Sequence, residues 1–321
     1  MPEVSIVIVC MNNLKNLYPC LNSIKKYTTL EYETFVVAYL FTQENLEKVR
    51  KDFPWVKFIE SNEYRGFSEN NNLALKQTKG KYCFVLNDDT ELSNPLIESL
   101  VDTIEILPDD VAVVSPPTYY KDGRIQSCGR PPIDAIHYVM TTFKLWNEQK
   151  VKSRYTYQKG IFKSYNIVGA AFLIKRDIFE KMGWFDETYF FTPEDIALST
   201  KLNNEGYSCY VNADLFLYHY EGQSRKVSMS YAAILPTMLR GNLIFFSNGN
   251  NFRYVALVLI YIVWMVFAMP YQYIRSIMSP RPNFNYALFK GYQNCFATCF
   301  TTKGTKEVFI KYYNKITKTK L

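Results

Sequence analysis

Five residues carry the side chains around which chemistry can be organised. Asp88 and Asp89 follow the apolar run YCFVL (82–86) and Asn87; Glu194 and Asp195 follow the aromatic run YFFTP; His219, in YHYEGQS, is one of two histidines in the chain. Taken singly, each has a structural reading. Asp and Asn favour turns because their side chains satisfy local backbone groups. An acidic pair at a helix start is stabilised by the free N–H groups there, and a lone histidine can be satisfied by its neighbours. Taken together, a carboxylate, an imidazole and another carboxylate at the ends of parallel strands can make a divalent-cation site with a base nearby. Hard oxygen ligands suit Mg²⁺ or Mn²⁺, and Mn²⁺ tolerates a neutral imidazole better. Such a cation would pair with a diphosphate.

These residues need elements to position them. Apolar runs at 4–10 (VSIVIVC), 35–40 (FVVAYL), 56–59 (VKFI), 82–86 and 111–114 (VAVV) are too short for helices and rich in Val, Ile and aromatics, which predicts buried strands. Segments of helical period separate them at 14–27, 43–52, 67–78 and 93–107, the last with Ser93 as a cap and Pro95 in the first turn. Strand alternating with helix implies a mostly parallel α/β sheet covered on both faces, with ligands beyond the carboxyl ends of the strands. Asn87–Asp89 falls at such an end. Residues 115–168, with SPPTYYKDGR and GRPPID, lack a clean period and are expected to be an excursion framing a substrate cleft. Order returns over 169–220: strand, short helix and turn in GAAFLIKRDIFEKMGWFDE, a helix in PEDIALSTKLNNEG stopped by Gly206, then the strand YSCYV, with His219 directly after the strand-like VNADLFL.

The 321 residues suffice for a large core, and 48% are hydrophobic, so disorder is excluded. Aromatics reach 17%, a load that suits sugar platforms or membrane interfaces, although most of these rings are expected in the core. The seven cysteines are scattered without a C-x-x-C pair, which fits a reducing compartment. The amino-terminal MPEVSIVIVCMNN reads as a first strand and not as a signal peptide. Net charge is +7, but from Arg275 onward nine Lys or Arg face one acid, Glu307, a local +8 that leaves −1 for residues 1–274. Tyr254–Ile274 holds 21 residues without a charge, between Arg253 and Arg275. That length just spans a bilayer, with Pro270 and Gln272 eroding one end. A single crossing from the cytosol would export the basic tail, against the positive-inside tendency. An in-plane or re-entrant segment at the cytoplasmic face is therefore preferred to a second crossing through 284–300, which Lys290 opposes. The alternatives are a buried helix of a soluble subdomain or a homodimer interface. A basic tail behind an apolar segment points to anionic lipid, not to nucleic acid.

Six stretches occur in a recognisable order: VSIVIVCMNN (4–13), RGFSENNNLAL (65–75), GKYCFVLNDDTEL (80–92), GAAFLIKRDIFEKMGWFDE (169–187), PEDIALSTKLNNEGY (193–207) and YHYEGQS (218–224). On these the chain resembles family 2 glycosyltransferases of the GT-A fold, in particular the rhamnosyltransferase-like enzymes of bacterial cell-surface polysaccharide assembly, over roughly residues 3–250. The resemblance implies a GT-A catalytic domain over 1–240, with a nucleotide-sugar half to about 115 and an acceptor half beyond it. A helical region over 241–321 would then associate with the membrane, peripherally or monotopically, or mediate oligomerisation. It implies metal-dependent, inverting transfer of a sugar from a UDP-, dTDP- or GDP-linked donor to a glycan or lipid-linked acceptor. Asp89 matches the expected ligand of a Mg²⁺ or Mn²⁺ ion, Asp88 lies near the ribose or the metal, and His219 completes the site. Asp195 matches the general base, with Glu194 beside it. Gly66, Phe67, Asn71 and Asn87 fall in donor-binding segments, and Gly169–Ala170 in the stretch that lines the sugar pocket. The chain departs from the family where an acid usually reads the nucleobase, having Val36–Val37–Ala38–Tyr39, and Cys10–Met11 replace the usual Thr-Tyr. Asn12, Asn13 or backbone are left to bond the base. The altered strand also admits a second reading, a non-catalytic sugar-nucleotide or glycan-binding member.

Overall fold

A computed structural model of the chain describes residues 1–143, 145, 155, 158–220, 229–278 and 284–318. Residues 221–224, the end of the last matching stretch, and parts of the 115–168 excursion and of the basic tail lie outside the described residues. The chain divides into two compact units. The first comprises 1–132, 149–186 and 195–221, and the second 133–148, 187–194 and 222–321.

The first unit is built on an eight-stranded sheet in the order β3-β2-β1-β4-β10-β6-β11-β9. Its strands are β1 (Val4–Cys10), β2 (Tyr32–Tyr39), β3 (Val56–Ser61), β4 (Tyr82–Asn87), β6 (Val111–Ser115), β9 (Ile161–Ser164), β10 (Ala171–Lys175) and β11 (Ser208–Asn212). The first four are mutually parallel, as are β6 and β11. β10 enters antiparallel between β4 and β6, and β9 runs antiparallel along β11, so the sheet is mixed. Side chains alternate across a strand, and here both faces are apolar. Val4, Ile6 and Ile8 of β1 pack with Leu17, Leu21 and Ile24 of α1 (Leu14–Tyr27), Val49 of α2 (Gln43–Asp52) and Leu100 and Ile104 of α4 (Leu96–Glu105). Val7, with Phe35, Val85 and Phe172, faces the other layer. That layer is made of α3 (Phe67–Leu75), α6 (Arg176–Lys181) and α7 (Glu194–Asn204).

The helix ends differ in detail from the sequence expectation. α3 stops at Leu75 instead of 78, and α4 starts at Leu96 with Pro95 preceding its first residue, so Ser93 does not cap it. Proline's missing N–H makes it a natural boundary at that place. α7 ends as expected: Gly206 has a φ of +85°, in the left-handed region where a Cβ is disfavoured.

A second sheet of four short strands, in the order β5-β12-β7-β8, sits beyond β4. It joins β5 (Thr90–Glu91), β12 (Leu217–His219), β7 (Thr118–Tyr119) and β8 (Ile125–Ser127). His219 is therefore the last residue of its own strand and does not follow one long strand from Val211, because β11 ends at Asn212 and the chain turns before β12.

The second unit is helical: α5 (Ala135–Thr142), α8 (Tyr231–Ser247), α9 (Asn251–Ile277), α10 (Phe284–Thr298) and α11 (Thr305–Lys318). Asn248 and Gly249 take left-handed φ values of 48° and 71° to end α8, and the Asn250 side chain accepts the Arg253 N–H at 2.9 Å to cap α9. Leu239, Leu243, Val258, Met265 and Cys295 form the unit's core. The buried Arg240 guanidinium donates to the carbonyls of Thr302 (3.2 Å) and Lys303 (2.8 Å), tying α8 to the turn after α10. All seven cysteines are buried and unpaired with one another.

Candidate active site

At the end of β4 the two adjacent carboxylates part company. Asp89 Oδ1 lies 3.1 Å from His219 Nε2, because β12 pairs antiparallel with β5 and sets His219 opposite Thr90. The imidazole's other nitrogen, Nδ1, is 2.7 Å from Gln126 Oε1 on β8. An amide oxygen only accepts, so Nδ1 carries a proton and Nε2 is left with its lone pair toward a carboxylate oxygen. Two acceptors at that distance are held together by a proton or by a cation between them. Asn87 Nδ2 stands 3.5 Å from the same Nε2. Asp88 lies instead beside the thiol of Cys10, at the end of β1, which donates to the Asn13 carbonyl at 3.6 Å. Burial pushes the Asp88 carboxyl up to about 7, with the neighbouring Cys10 thiol opposing the rise and the Asp89 charge adding to it. Burial and Asp88 together push the Cys10 thiol well up, so it stays protonated and remains a donor.

The other acidic pair opens α7. Asp195 Oδ1 accepts the N–H of Ile196 at 2.8 Å, and Oδ2 accepts from Arg130 Nη1 at 2.9 Å. Both side chains keep less than a fifth of their surface, 18% for Arg130 and 16% for Asp195. Arg130 is itself anchored, its N–H donating to Ser164 Oγ (2.9 Å) and its carbonyl accepting the Asn166 N–H (3.0 Å). A Cβ on Gly129 would stand 2.9 Å from that Ser164 Oγ, so only glycine admits the approach. Ser199, one turn into α7, bonds back to the Asp195 carbonyl (2.7 Å) and accepts the Ile167 N–H (3.0 Å), fixing the helix start against the segment that leads to Gly169.

Gly169–Ala170 lies between the two carboxylate stations. The Ala170 carbonyl accepts the Asn87 N–H at 2.9 Å, and a Cβ on Gly169 would be 3.5 Å from Asp195 Cβ. The Asp195 side chain therefore lies against Gly169 at van der Waals distance, with no room between them beyond a methyl contact. Glu194 is the first residue of α7.

The remaining predicted residues have more structural work than the sequence implied. Asn12, with a φ of 49°, uses its Oδ1 to accept from the Thr42 N–H (3.3 Å) and from Asn45 Nδ2 (2.8 Å), stapling the end of β1 to the start of α2. That oxygen is occupied without a nucleobase. Phe67 packs edge-on against Phe185 (5.6 Å between centroids), in the core layer under α3. Gly66 precedes α3, and its N–H reaches Glu69 Oε2 at 3.4 Å. In the run Asn70–Asn72 the outer two are satisfied: Asn70 accepts from Ser61 Oγ, and Asn72 clamps both backbone groups of Phe185. Asn71 is 1% exposed, donates to the Phe67 carbonyl, and has an amide oxygen without a hydrogen-bond partner. Tyr39, at the end of the strand that lacks the base-reading acid, receives the Arg65 N–H at 3.3 Å.

The sequence reading missed Gln126 and Arg130. Both lie in IQSCGR, inside the excursion expected to frame a cleft, and two residues four positions apart thus deliver an amide to His219 and a guanidinium to Asp195. Nothing in their spacing marks them, since their partners are 93 and 65 residues away.

A divalent cation fits the Asp89–His219 pair by the chemistry of its donors: two acceptors converge, and an amide fixes the imidazole tautomer from behind, as metal-bound histidines require. Among the described residues no group of three or more His, Cys, Asp or Glu side chains could hold a metal ion by themselves. A cation here would therefore take its other ligands from a diphosphate and water, as Mg²⁺ and Mn²⁺ readily do.

Comparison with known proteins speaks to the family and the fold. Residues 5–183 match the family model Glycosyl transferase family 2. The O-antigen biosynthesis protein RfbC of Myxococcus xanthus is 25% identical over 218 residues, 64% of this chain and 16% of that protein. The uncharacterized protein y4gI of Sinorhizobium fredii (strain NBRC 101917 / NGR234) is 29% identical over 237 residues, 70% of this chain and 25% of that one. The chain thus spans a quarter or less of the length of these relatives. Among solved structures, the mannosyltransferase PcManGT of Pyrobaculum calidifontis, in complex with GDP-Man and Mn²⁺, superposes with a TM-score of 0.53 at 13% identity, over 94% of this chain and 88% of that one. GalNAc-T7 with UDP, GalNAc and Mn²⁺ gives 0.54 at 17% identity, over 99% and 57%. At such identities the likeness speaks for the fold, and the family match covers more than half of the sequence. The chain belongs to glycosyl transferase family 2 and has the GT-A fold of a glycosyltransferase.

Proposed function

We propose that the chain transfers a sugar from a nucleotide diphosphate donor to a hydroxyl of a glycan or lipid-linked acceptor, inverting the anomeric carbon, in the assembly of a cell-surface polysaccharide. The observation that carries this reading is the pair of carboxylate stations with unlike partners, Asp89 with His219 and Asp195 with Arg130, joined by Gly169–Ala170. Family membership, the Myxococcus relative being an O-antigen biosynthesis protein, and the nucleotides and Mn²⁺ in complex with the structural neighbours support it.

Glycosyl transfer builds positive charge on the anomeric carbon and negative charge on the departing diphosphate. Asp89 and His219 would hold a Mg²⁺ or Mn²⁺ ion, which when bound supplies charge stabilisation to the leaving diphosphate. Gln126 keeps the His219 proton on Nδ1, so Nε2 stays a ligand. Asp195 takes the proton of the acceptor hydroxyl as it attacks, and Arg130 and the Ile196 N–H hold its carboxylate in place. Asp195 belongs to a helix and Asp89 follows a strand end, with the Gly169–Ala170 segment linking the two. A single displacement of this kind needs no covalent nucleophile and inverts the centre.

The test is a donor screen by mass spectrometry across UDP-, dTDP- and GDP-sugars, dTDP-rhamnose included, with Mg²⁺ or Mn²⁺ and polysaccharide or lipid-linked acceptors. Acceptor-dependent release of one nucleoside diphosphate is the expected result. Donor binding by calorimetry without release on any acceptor would favour the non-catalytic reading, which the sequence VVAY at the end of β2 motivates.

A further inference from the structure

Helix α9 has two long faces of opposite character. One is packed along its whole length: Leu257, Val258, Met265, Gln272 and Ser276 are buried, and Tyr254, Tyr261 and Trp264 pack against the same core. The opposite face is apolar and bare. Phe252 (85% exposed), Val255 (53%), Leu259 (58%), Val263 (53%), Val266 (62%) and Phe267 (71%) recur at helical spacing, and the stripe continues through Tyr271 and Ile274 to Ile277. An apolar groove of about 460 Å³, lined by Met265, Val266, Met269, Pro270, Tyr273, Phe289 and Phe296, opens along α9 and α10. Apolar patches of this extent on a soluble surface mark an interaction site.

We propose that this face of α9 seats on an anionic lipid bilayer, with the helix lying along the interface. Two observations choose lipid. The stripe contains no charge, and its ends carry Arg253 and Arg275, both exposed, with further cations following on α10 and α11. Cations bordering a bare apolar face match an anionic headgroup layer above hydrocarbon.

Two observations choose the in-plane orientation. Asn251–Ile277 is one unbroken helix that continues through Pro270, so it does not re-enter. Its 27 residues, with a mean hydropathy of 2.1 over an 18-residue stretch, would suffice to cross a membrane. Its packed neighbour would not follow. α10 runs antiparallel beside it, with Trp264 on Tyr292 (5.3 Å), Tyr273 on Phe289 (5.2 Å) and Gln272 Nε2 on Asn285 Oδ1 (3.0 Å). Lys290 and the exposed Gln293 therefore stand level with the second half of α9 and would be carried into hydrocarbon by a crossing. A helix lying flat leaves them on its protein side.

Flotation of the full chain with phosphatidylcholine vesicles, with and without roughly a third phosphatidylglycerol, tests the surface. The chain should float with the anionic vesicles, and Val263→Glu/Phe267→Glu should lower the floated fraction about ten-fold. Both side chains point outward, so the circular-dichroism melting curve should not move; if it does, Leu259→Gln on the same face serves instead. Flotation unchanged by the substitutions would overturn the proposal. So would an unsubstituted chain that stays in solution as a dimer which Val263→Glu/Phe267→Glu splits, since a second copy would then cover the face. Orientation is read by quenching with acyl-brominated lipids of tryptophan introduced as Val255→Trp or Val266→Trp, about 16 Å apart along the helix. Equal depth is expected, and a deep 266 with a shallow 255 would mean a crossing.

Discussion

Asp89 and Asp195 are the same side chain in two settings. At the end of β4 a carboxylate faces the acceptor nitrogen of an imidazole whose proton is held on the far side by Gln126, an arrangement that calls for positive charge. On α7 the carboxylate already has its positive partner in Arg130 and a backbone N–H besides. On the proposed function the first station would gain a cation, whereas the second already has its positive partner. Strand pairing places the first, since His219 is set by register against Thr90, while helix packing and an anchored arginine place the second. The proposed function gives leaving-group chemistry to one and proton transfer to the other, and substitutions should separate them.

The largest effect is expected at the helix. Asp195→Asn should lower turnover by about 10²–10⁴-fold while leaving donor affinity nearly unchanged, read by nucleoside diphosphate release alongside calorimetry. At the strand end the order reverses. His219→Ala should weaken Mn²⁺-dependent donor binding by about 10–100-fold, and Gln126→Leu by about ten-fold, because the imidazole loses the bond that fixes its tautomer. Arg130→Met should destabilise the fold by about 1–2 kcal/mol in denaturant titration, less than a fully buried pair would cost, because both side chains retain some solvent. In the Asp195→Asn background the same change should cost less, which a double-mutant cycle measures.

The smallest effect lies away from both stations and calibrates them. Burial raises the Glu33 carboxyl, but Lys57, the Ser5 hydroxyl and the Lys79 N–H outweigh it, and its pKa is lowered in the fold. A lowered carboxyl contributes stability that is present above its unfolded pKa and lost as pH falls through its folded one. Between about pH 5 and 3 the unsubstituted chain should therefore lose up to about 1 kcal/mol more stability than Glu33→Gln, seen as a shallower acid limb in the variant's melting curves.

These expectations rest on a site only half legible in the sequence. Runs such as VSIVIVC and YCFVL announce β1 and β4 because strands covered on both faces must be apolar throughout. The second sheet gives no such signal: β5, β7, β8 and β12 have two or three residues each, too few for a period to show. Gln126 and Arg130 ride on that part of the chain and were invisible for the same reason. Asn12 shows a second task that its place just after a strand does not announce: its left-handed φ and its bonds to Thr42 and Asn45 make it a turn residue that staples β1 to α2. The triplet Asn70–Asn72 reads as one polar run, and only burial and pairing single out the unmet oxygen of Asn71. In the second unit the length and apolarity of α9 were plain, whereas which of its faces is packed depends on α8 and α10 and so on the fold.

The division of labour between the two stations is tested most directly by titrating the nucleoside diphosphate into the unsubstituted chain, Asp89→Asn and Asp195→Asn, each with and without Mn²⁺. Mn²⁺ should strengthen binding to the unsubstituted chain and to Asp195→Asn alike and have little effect on Asp89→Asn. An equal response to Mn²⁺ in Asp89→Asn, or its loss in Asp195→Asn, would contradict the assignment of the cation to the end of β4.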